Sequence, residues 1–173
     1  MLSIAELNQM ILRIPDYPKP GVIFQDITPV LSNSVAFRSL IQAMAKPFHN
    51  SGITHVIGIE ARGFLVGTAI AYELGAGFIP ARKAGKLPRE TKAANYDLEY
   101  GTATIEIHRE DIPANARVLI VDDVLATGGT LAALVSLLQD QNCEIVAISV
   151  ISEITPLNGR SKLPNIEINS LIS

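Results

Sequence analysis

Two carboxylates stand side by side at Asp122 and Asp123, and after two apolar residues comes Ala126-Thr127-Gly128-Gly129-Thr130. Ionised carboxylates only accept hydrogen bonds, so an adjacent pair suits a ligand rich in hydroxyls. The turn has the opposite preference. Gly128 and Gly129 let the backbone approach closely, and Thr127 and Thr130 add O–H donors. If this turn opens a helix, the free N–H groups of the first turn and the positive end of the helix dipole attract a phosphate. Two acids beside such a cradle would repel the phosphate unless they face a different part of the same molecule. A sugar phosphate satisfies both halves, with its hydroxyls donating to the carboxylates and its phosphate seated on the turn.

Competing readings of the stretch are weaker. An apolar run ending in Asp-Asp is also the second acidic motif of P-loop nucleotide hydrolases, but the chain contains no GxxxxGK[ST]. Response-regulator receivers carry an acidic pair after the first strand, whereas here the pair lies deep in the chain. A dinucleotide site fails because LGAGF supplies only Gly75 and Gly77 of three required glycines. A helix cap would account for one acid; two acids plus TGGT at the mouth of a sheet point to a site.

Positioning these groups requires a strand before the acids and a helix after the turn. Strands are expected at 55–60, 77–82, 103–108, 117–123 and 144–152, with helices near 63–74 and 129–139 between them. Short apolar strands alternating with helices imply an α/β fold, a parallel sheet covered on both faces, and such sheets bind ligands at the carboxyl ends of their strands. Ser3 and Glu6 form a capping-box pattern, and Ile4, Leu7, Ile11 and Ile14 recur at helical spacing, which predicts a first helix running until Pro15 stops it. Pro15, Pro18, Pro20 and Gly21 dictate an irregular loop, and a second helix is expected over 34–48 with Phe37, Leu40, Ile41, Met44 and Phe48 inward. Residues 83–100 show little apolar periodicity and resist assignment to a helix or strand; a loop this long in a compact domain is functional or disordered.

At 173 residues, 48% hydrophobic and 18% charged, the chain fits one globular domain without internal repeats. Its single Cys143 excludes an internal disulfide and suits a reducing cytoplasm. The N-terminal segment lacks a basic start and a long apolar core, and no run reaches spanning length, so neither a signal peptide nor a membrane partner is expected. A formal charge of −3 argues against nucleic acid as a partner. His49, His55 and His108 share no metal-ligand spacing, Glu106 with His108 reads as a surface pair on one strand, and Cys143 reads as a small core residue.

The stretch VLIVDDVLATGGT (118–130) resembles the ribose-phosphate motif of type I phosphoribosyltransferases. Further segments are similar to the members of that family that act on adenine: IPDYPKPGVIFQDITPVL (14–31), GIEARGFLVG (58–67), RKAGKLP (82–88), YDLEYG (96–101) and NGRSKL (158–163). The resemblance spans nearly the whole chain. It implies a single domain over 1–173, an open, mainly parallel sheet flanked by helices, with a small hood from about residues 1–35 and a flexible catalytic loop. It implies transfer of the 5-phosphoribosyl group from 5-phosphoribosyl 1-pyrophosphate to adenine, giving AMP and pyrophosphate, with Mg²⁺ carried by the substrate, no direct protein ligand to the metal, and a cytoplasmic homodimer.

Carried over by position, Asp122 and Asp123 hold the ribose hydroxyls, and Ala126, Thr127, Gly128, Gly129 and Thr130 cradle the 5-phosphate. Arg62, Arg82, Lys83 and Lys86 face the pyrophosphate, a multiply charged leaving group whose departure needs cations. Hypoxanthine-guanine members place an aspartate where this chain has Ala126, which cannot accept a proton; the acid of the LEYG segment takes that role in adenine enzymes. That implies Glu99 as the base, with Tyr100 covering the site and Arg62 completing the catalytic set. Adenine is expected under 22–25, with Phe24 stacking, the backbone at Ile23 and Gln25 reading the amino edge, and Val124 lining the other face. Two alternatives stand beside this one. A xanthine or hypoxanthine specificity is the nearer; a transcriptional regulator that binds the ribosyl donor is disfavoured because the first sixty residues lack a basic recognition helix.

Overall fold

The computed structural model describes residues 1–97 and 102–172. Its centre is a seven-stranded sheet. In chain order the strands and helices are α1 (Ile4–Met10), β1 (Leu12–Ile14), β2 (Phe24–Asp26), α2 (Thr28–Ser32), α3 (Ser34–Ala45), β3 (His55–Ile59), α4 (Arg62–Leu74), β4 (Gly77–Lys83), β5 (Thr91–Asp97), β6 (Thr102–His108), β7 (Ala116–Leu125), α5 (Gly129–Gln139), β8 (Cys143–Glu153) and β9 (Ile168–Ile172). The strand order is β5-β6-β4-β3-β7-β8-β9. From β4 to β9 the pairs are parallel, while β6 runs antiparallel to both β4 and β5. The expected mainly parallel α/β sheet is therefore present.

Period-two alternation along β7 divides the core. Leu119 and Val121 face a layer built with Leu7, Leu40, Met44 and Val66, whereas Val118 and Ile120 face Leu131, Leu134 and Leu138 of α5. Helices α1 to α4 thus cover one face and α5 the other. Leu7 and Ile11 join the first layer, so the N-terminal segment packs on the same face as α4.

Three expectations need correction. The first helix does not reach Ile14. Ser3 and Glu6 do close the capping box, but the helix ends at Met10 and Leu12–Ile14 pairs antiparallel with Phe24–Asp26. A residue before proline is pushed toward extended backbone, and β2 supplies the ladder partners for that conformation. Second, 83–100 is not wholly a loop: Thr91–Asp97 pairs with β6 from Thr91↔His108 to Asp97↔Thr102. This is a sheet edge in which Ala94 and Tyr96 pack against the α5-side core. Third, Glu106 and His108 are not a surface pair, because His108 is buried and a Glu106 carboxylate oxygen accepts from the N–H of Gly85 at 3.1 Å. Helix α3 starts at Ser34 as expected, with Oδ1 of Asn33 accepting from the N–H groups of Val35 and Ala36, and it tightens into a 3₁₀ turn over Lys46–Phe48.

Candidate active site

Strand β7 outlasts its neighbour. Pairing with β3 ends at Gly58↔Val121, but pairing with β8 continues to Leu125↔Glu153. Asp122 and Asp123 therefore lie inside β7, not at its last residues, yet beyond the point where the β3 ladder stops. The start of α4 fills that gap. Gly63 comes so close that an added Cβ would stand 2.8 Å from the Val121 carbonyl oxygen and 3.1 Å from Oδ1 of Asp122.

Arg62, the first residue of α4, donates from Nε to Oδ2 of buried Asp123. The same guanidinium lies over the Phe24 ring, with its carbon 5.0 Å from the ring centroid. Phe24 also meets Tyr17 edge-on at 5.1 Å. One cation thus links the acid pair to the hairpin of β1 and β2. Oδ1 of Asp122 accepts from the backbone N–H of Asp123 at 2.9 Å. Burial foremost, and then the charge of Asp123, push the Asp122 carboxyl well above the usual carboxylate range.

A cavity of about 270 Å³ opens over these groups, lined by Glu60, Arg62, Lys83, Tyr96, Asp122, Asp123, Val124 and Thr130 among others. Arg82 and Lys86, expected beside them, do not line it. Arg82 is held by Glu60, at 3.2 Å from Nε and 3.3 Å from Nη2, and donates to the Lys86 carbonyl at 3.1 Å. The backbone N–H of Lys83 donates to the same carboxylate at 3.0 Å, and these bonds, the Arg82 side chain's first, lower the Glu60 pKa. Glu60 and Tyr96 were not singled out from the sequence, although both stand in the segments that carry the resemblance.

The turn at 126–130 forms its own small hollow of about 80 Å³ with Asp122 and Val124. Gly128 has φ of 75°, a left-handed conformation that only glycine adopts without strain, and it sits at the N-terminus of α5. A Cβ on it would run into the carbonyl oxygen of Gly159, and one on Gly159 would run into that of Ala126. Two distant glycines in contact hold the turn in place; nothing in local sequence announces the pairing.

A third cavity, about 710 Å³, is lined by Arg13, Val22, Ile23, Gln25, Ala126, Thr127, Ile154 and Leu157 among others. Ile23 and Gln25 line it. Phe24 and Val124 do not: Phe24 lies beneath Arg62, and Val124 lines the two cavities at the acids. Glu99 and Tyr100 lie outside the described residues.

A family model described as a phosphoribosyl transferase domain matches residues 31–165. The chain belongs to the phosphoribosyl transferase family. It is 53% identical over 165 residues to an adenine phosphoribosyltransferase of Thermobifida fusca, covering 95% of this chain and 94% of that one. It is similar to the crystal structure of an adenine phosphoribosyltransferase from Thermoanaerobacter pseudethanolicus, with TM-score 0.95, 46% identity and coverage of 98% and 99%. It is also similar to the Saccharomyces cerevisiae adenine phosphoribosyltransferase, crystallised with an imino-altritol bisphosphate and adenine (TM-score 0.92, 39% identity, 97% of each chain). In this family member the acid pair, the cavity that Arg62 and Lys83 line with Glu60, and the small hollow of the 126–130 turn adjoin one another at the ends of β3 and β7.

Two outcomes are expected. In the unfolded chain Asp122 titrates near the ordinary value of about 3.9, and in the folded protein well above it. The folded state then binds that proton more tightly, so this contribution to stability is complete at and below the unfolded pKa and is lost as pH rises through the folded one. Melting temperature measured against pH will fall more steeply above about pH 4 for the wild type than for Asp122→Asn; parallel curves would contradict a raised pKa. Gly159→Ala, by pressing on the Ala126 carbonyl, should cost roughly 1–3 kcal/mol in denaturant unfolding and weaken ribose 5-phosphate measured by calorimetry.

Proposed function

We propose that the protein transfers the 5-phosphoribosyl group from 5-phosphoribosyl 1-pyrophosphate to adenine, forming AMP and pyrophosphate in purine salvage. The observation that carries this is the placing of Asp122 and Asp123 between a helix-capped, glycine-lined hollow and a cavity walled by Arg62 and Lys83. A ribose held by the two carboxylates has its 5-phosphate reaching the N–H groups of Gly128, Gly129 and Thr130 on one side. On the other side its pyrophosphate meets Arg62 and Lys83. Arg82, joined to Glu60, fixes the segment that carries Lys83, and Lys86 adds charge beyond it.

In the reaction the bond from the ribose anomeric carbon to pyrophosphate oxygen breaks, and a bond from that carbon to the adenine ring nitrogen forms. The electron pair leaves with pyrophosphate, where Arg62 and Lys83 stabilise it. The nitrogen's proton passes to Glu99, and Tyr100 covers the site. Among the described residues no three His, Cys, Asp or Glu side chains gather as a metal cage. Mg²⁺ would instead arrive on the donor, without a direct protein ligand, beside the carboxylates that hold the ribose hydroxyls. When bound with the donor, Mg²⁺ neutralises charge on the leaving group.

Adenine lies between the β1–β2 hairpin and the acids, reached through the cavity that Ile23, Gln25, Ala126 and Thr127 line. The first 35 or so residues act as the hood of one domain spanning 1–173. Exposed Leu65 and Tyr72, one above the other on α4, support a homodimer. A cytoplasmic address is supported by the lone Cys143; no described helix is long and apolar enough to cross a membrane.

Purified protein assayed with the donor, Mg²⁺ and each purine in turn tests this. Adenine is expected to exceed hypoxanthine by a factor on the order of 10⁴, since a site that pairs with the amino edge leaves buried groups unpaired when a carbonyl enters. Comparable turnover of the two would sink the assignment. Glu99→Gln should lower kcat by roughly 10²–10⁴ and remove the acidic limb of the pH–rate profile, with donor affinity little changed. A variant within a few fold of wild type that keeps the limb would leave Glu99 without this role.

A further inference from the structure

The Arg62 guanidinium lies between the Asp123 carboxylate and the Phe24 ring. The acceptor nitrogen must come within about 3–3.5 Å of the ribose carbon to react. That ribose is fixed by Asp122 and Asp123. A base that stacks on Phe24 and also reaches the ribose has to enter the gap between the Phe24 ring and Asp123, and the Arg62 guanidinium spans it, bonded to Oδ2 of Asp123 at one end and lying 5.0 Å above the ring centroid at the other. An edge of the same ring is already packed by Tyr17. The site-facing side of Phe24 is therefore covered by protein, not by solvent.

We propose that Arg62 is a latch that holds the base subsite shut in the ligand-free protein and is drawn off by pyrophosphate, so that the leaving-group end of the donor opens the stacking face for adenine. The proposal rests on the assignment of adenine and the ribosyl donor made above. Its chemistry is an exchange of anions. Arg62 is 44% exposed and bonded to the Asp123 carboxylate, whereas pyrophosphate offers several oxygens to the same planar group. Once the guanidinium turns to them, Phe24 loses its cation and Asp123 is released to accept a ribose hydroxyl. Arg62 is on this view a positioning residue for the base as well as a contact for the leaving group. If roughly nine-tenths of the empty molecules hold the latch, the apparent dissociation constant for adenine is raised about tenfold over that of the open form.

Calorimetric titration of the full chain with adenine separates this from a plain pyrophosphate-binding role. For the wild type, adenine should bind about tenfold more tightly with saturating pyrophosphate and Mg²⁺ than alone. Arg62→Ala should bind adenine alone with close to the wild type's pyrophosphate-assisted affinity. That gain is the decisive reading, because an arginine that only contacts pyrophosphate, or only steadies the fold, gives no tightening when removed. Arg62→Gln, which keeps a hydrogen-bond donor for Asp123 but no charge over Phe24, should show the same gain and serves if the alanine variant melts early. Adenine affinity unchanged in both variants, or weakened in both, overturns the latch. If hypoxanthine binds where adenine does not, the base assignment falls instead; the same titrations with hypoxanthine then support the latch by the same gain or overturn it by its absence.

Discussion

The protein depends on one mismatch of length: β7 continues past β3 while β8 continues beside it. A strand paired on both sides through Val121 and on one side through Leu125 keeps its direction, because the β8 ladder holds it, but has a flank without ladder partners, against which α4 begins. Side chains on that flank are positioned with strand precision and are still reachable by a ligand. The two carboxylates occupy it. Their cost is visible in the raised pKa of Asp122, where burial and a like charge both oppose ionisation. The glycines around the flank follow from the same constraint: Gly63 lets α4 begin against Asp122, and Gly128 and Gly159 let two turns touch behind the phosphate hollow.

What the sequence made legible is what is encoded locally. The alternation of apolar strands and helices predicted the parallel part of the sheet, and the order of apolar run, acids and small hydroxyl turn singled out residues 122–130, which line two adjoining cavities. The errors fall where local pattern and tertiary context compete. Ile11 and Ile14 continue a helical period, but Ile14 precedes a proline and has a strand partner waiting in Phe24. In β5 the inward residues are Ala94 and Tyr96, and at a sheet edge two such residues suffice, too weak a period to read. Contacts between remote residues were beyond local reading altogether. Nothing near Arg82 shows that Glu60 will take up its charge, and nothing near Gly128 announces Gly159.

Glu60 explains why basic residues counted in a sequence do not translate directly into ligand contacts. Arg82 and Lys83 are neighbours on β4, so their side chains point to opposite faces. Glu60 holds the guanidinium of the first and the backbone N–H of the second, which turns the strand end so that Lys83 lines the cavity and Arg82 lies 5.8 Å from the Phe64 ring centroid. One carboxylate thereby holds two residues, and only one of them lines the cavity.

The ion pairs also determine what it costs to bind a donor with several negative charges. Leaving a buried carboxylate without its cation is strongly unfavourable, so a site that only lost pairs on binding would bind poorly. Here each loss has a replacement in the ligand itself. If Arg62 turns from Asp123 to pyrophosphate, as proposed, a ribose hydroxyl would take its place on the carboxylate, and a 5-phosphate seated at the start of α5 would meet backbone N–H groups and not the acids. That balance requires hydroxyls and phosphate on one molecule at a fixed separation, which free phosphate or a neutral sugar cannot supply together. In the proposed reading the acid pair and the phosphate cradle thus act on different parts of one phosphorylated sugar.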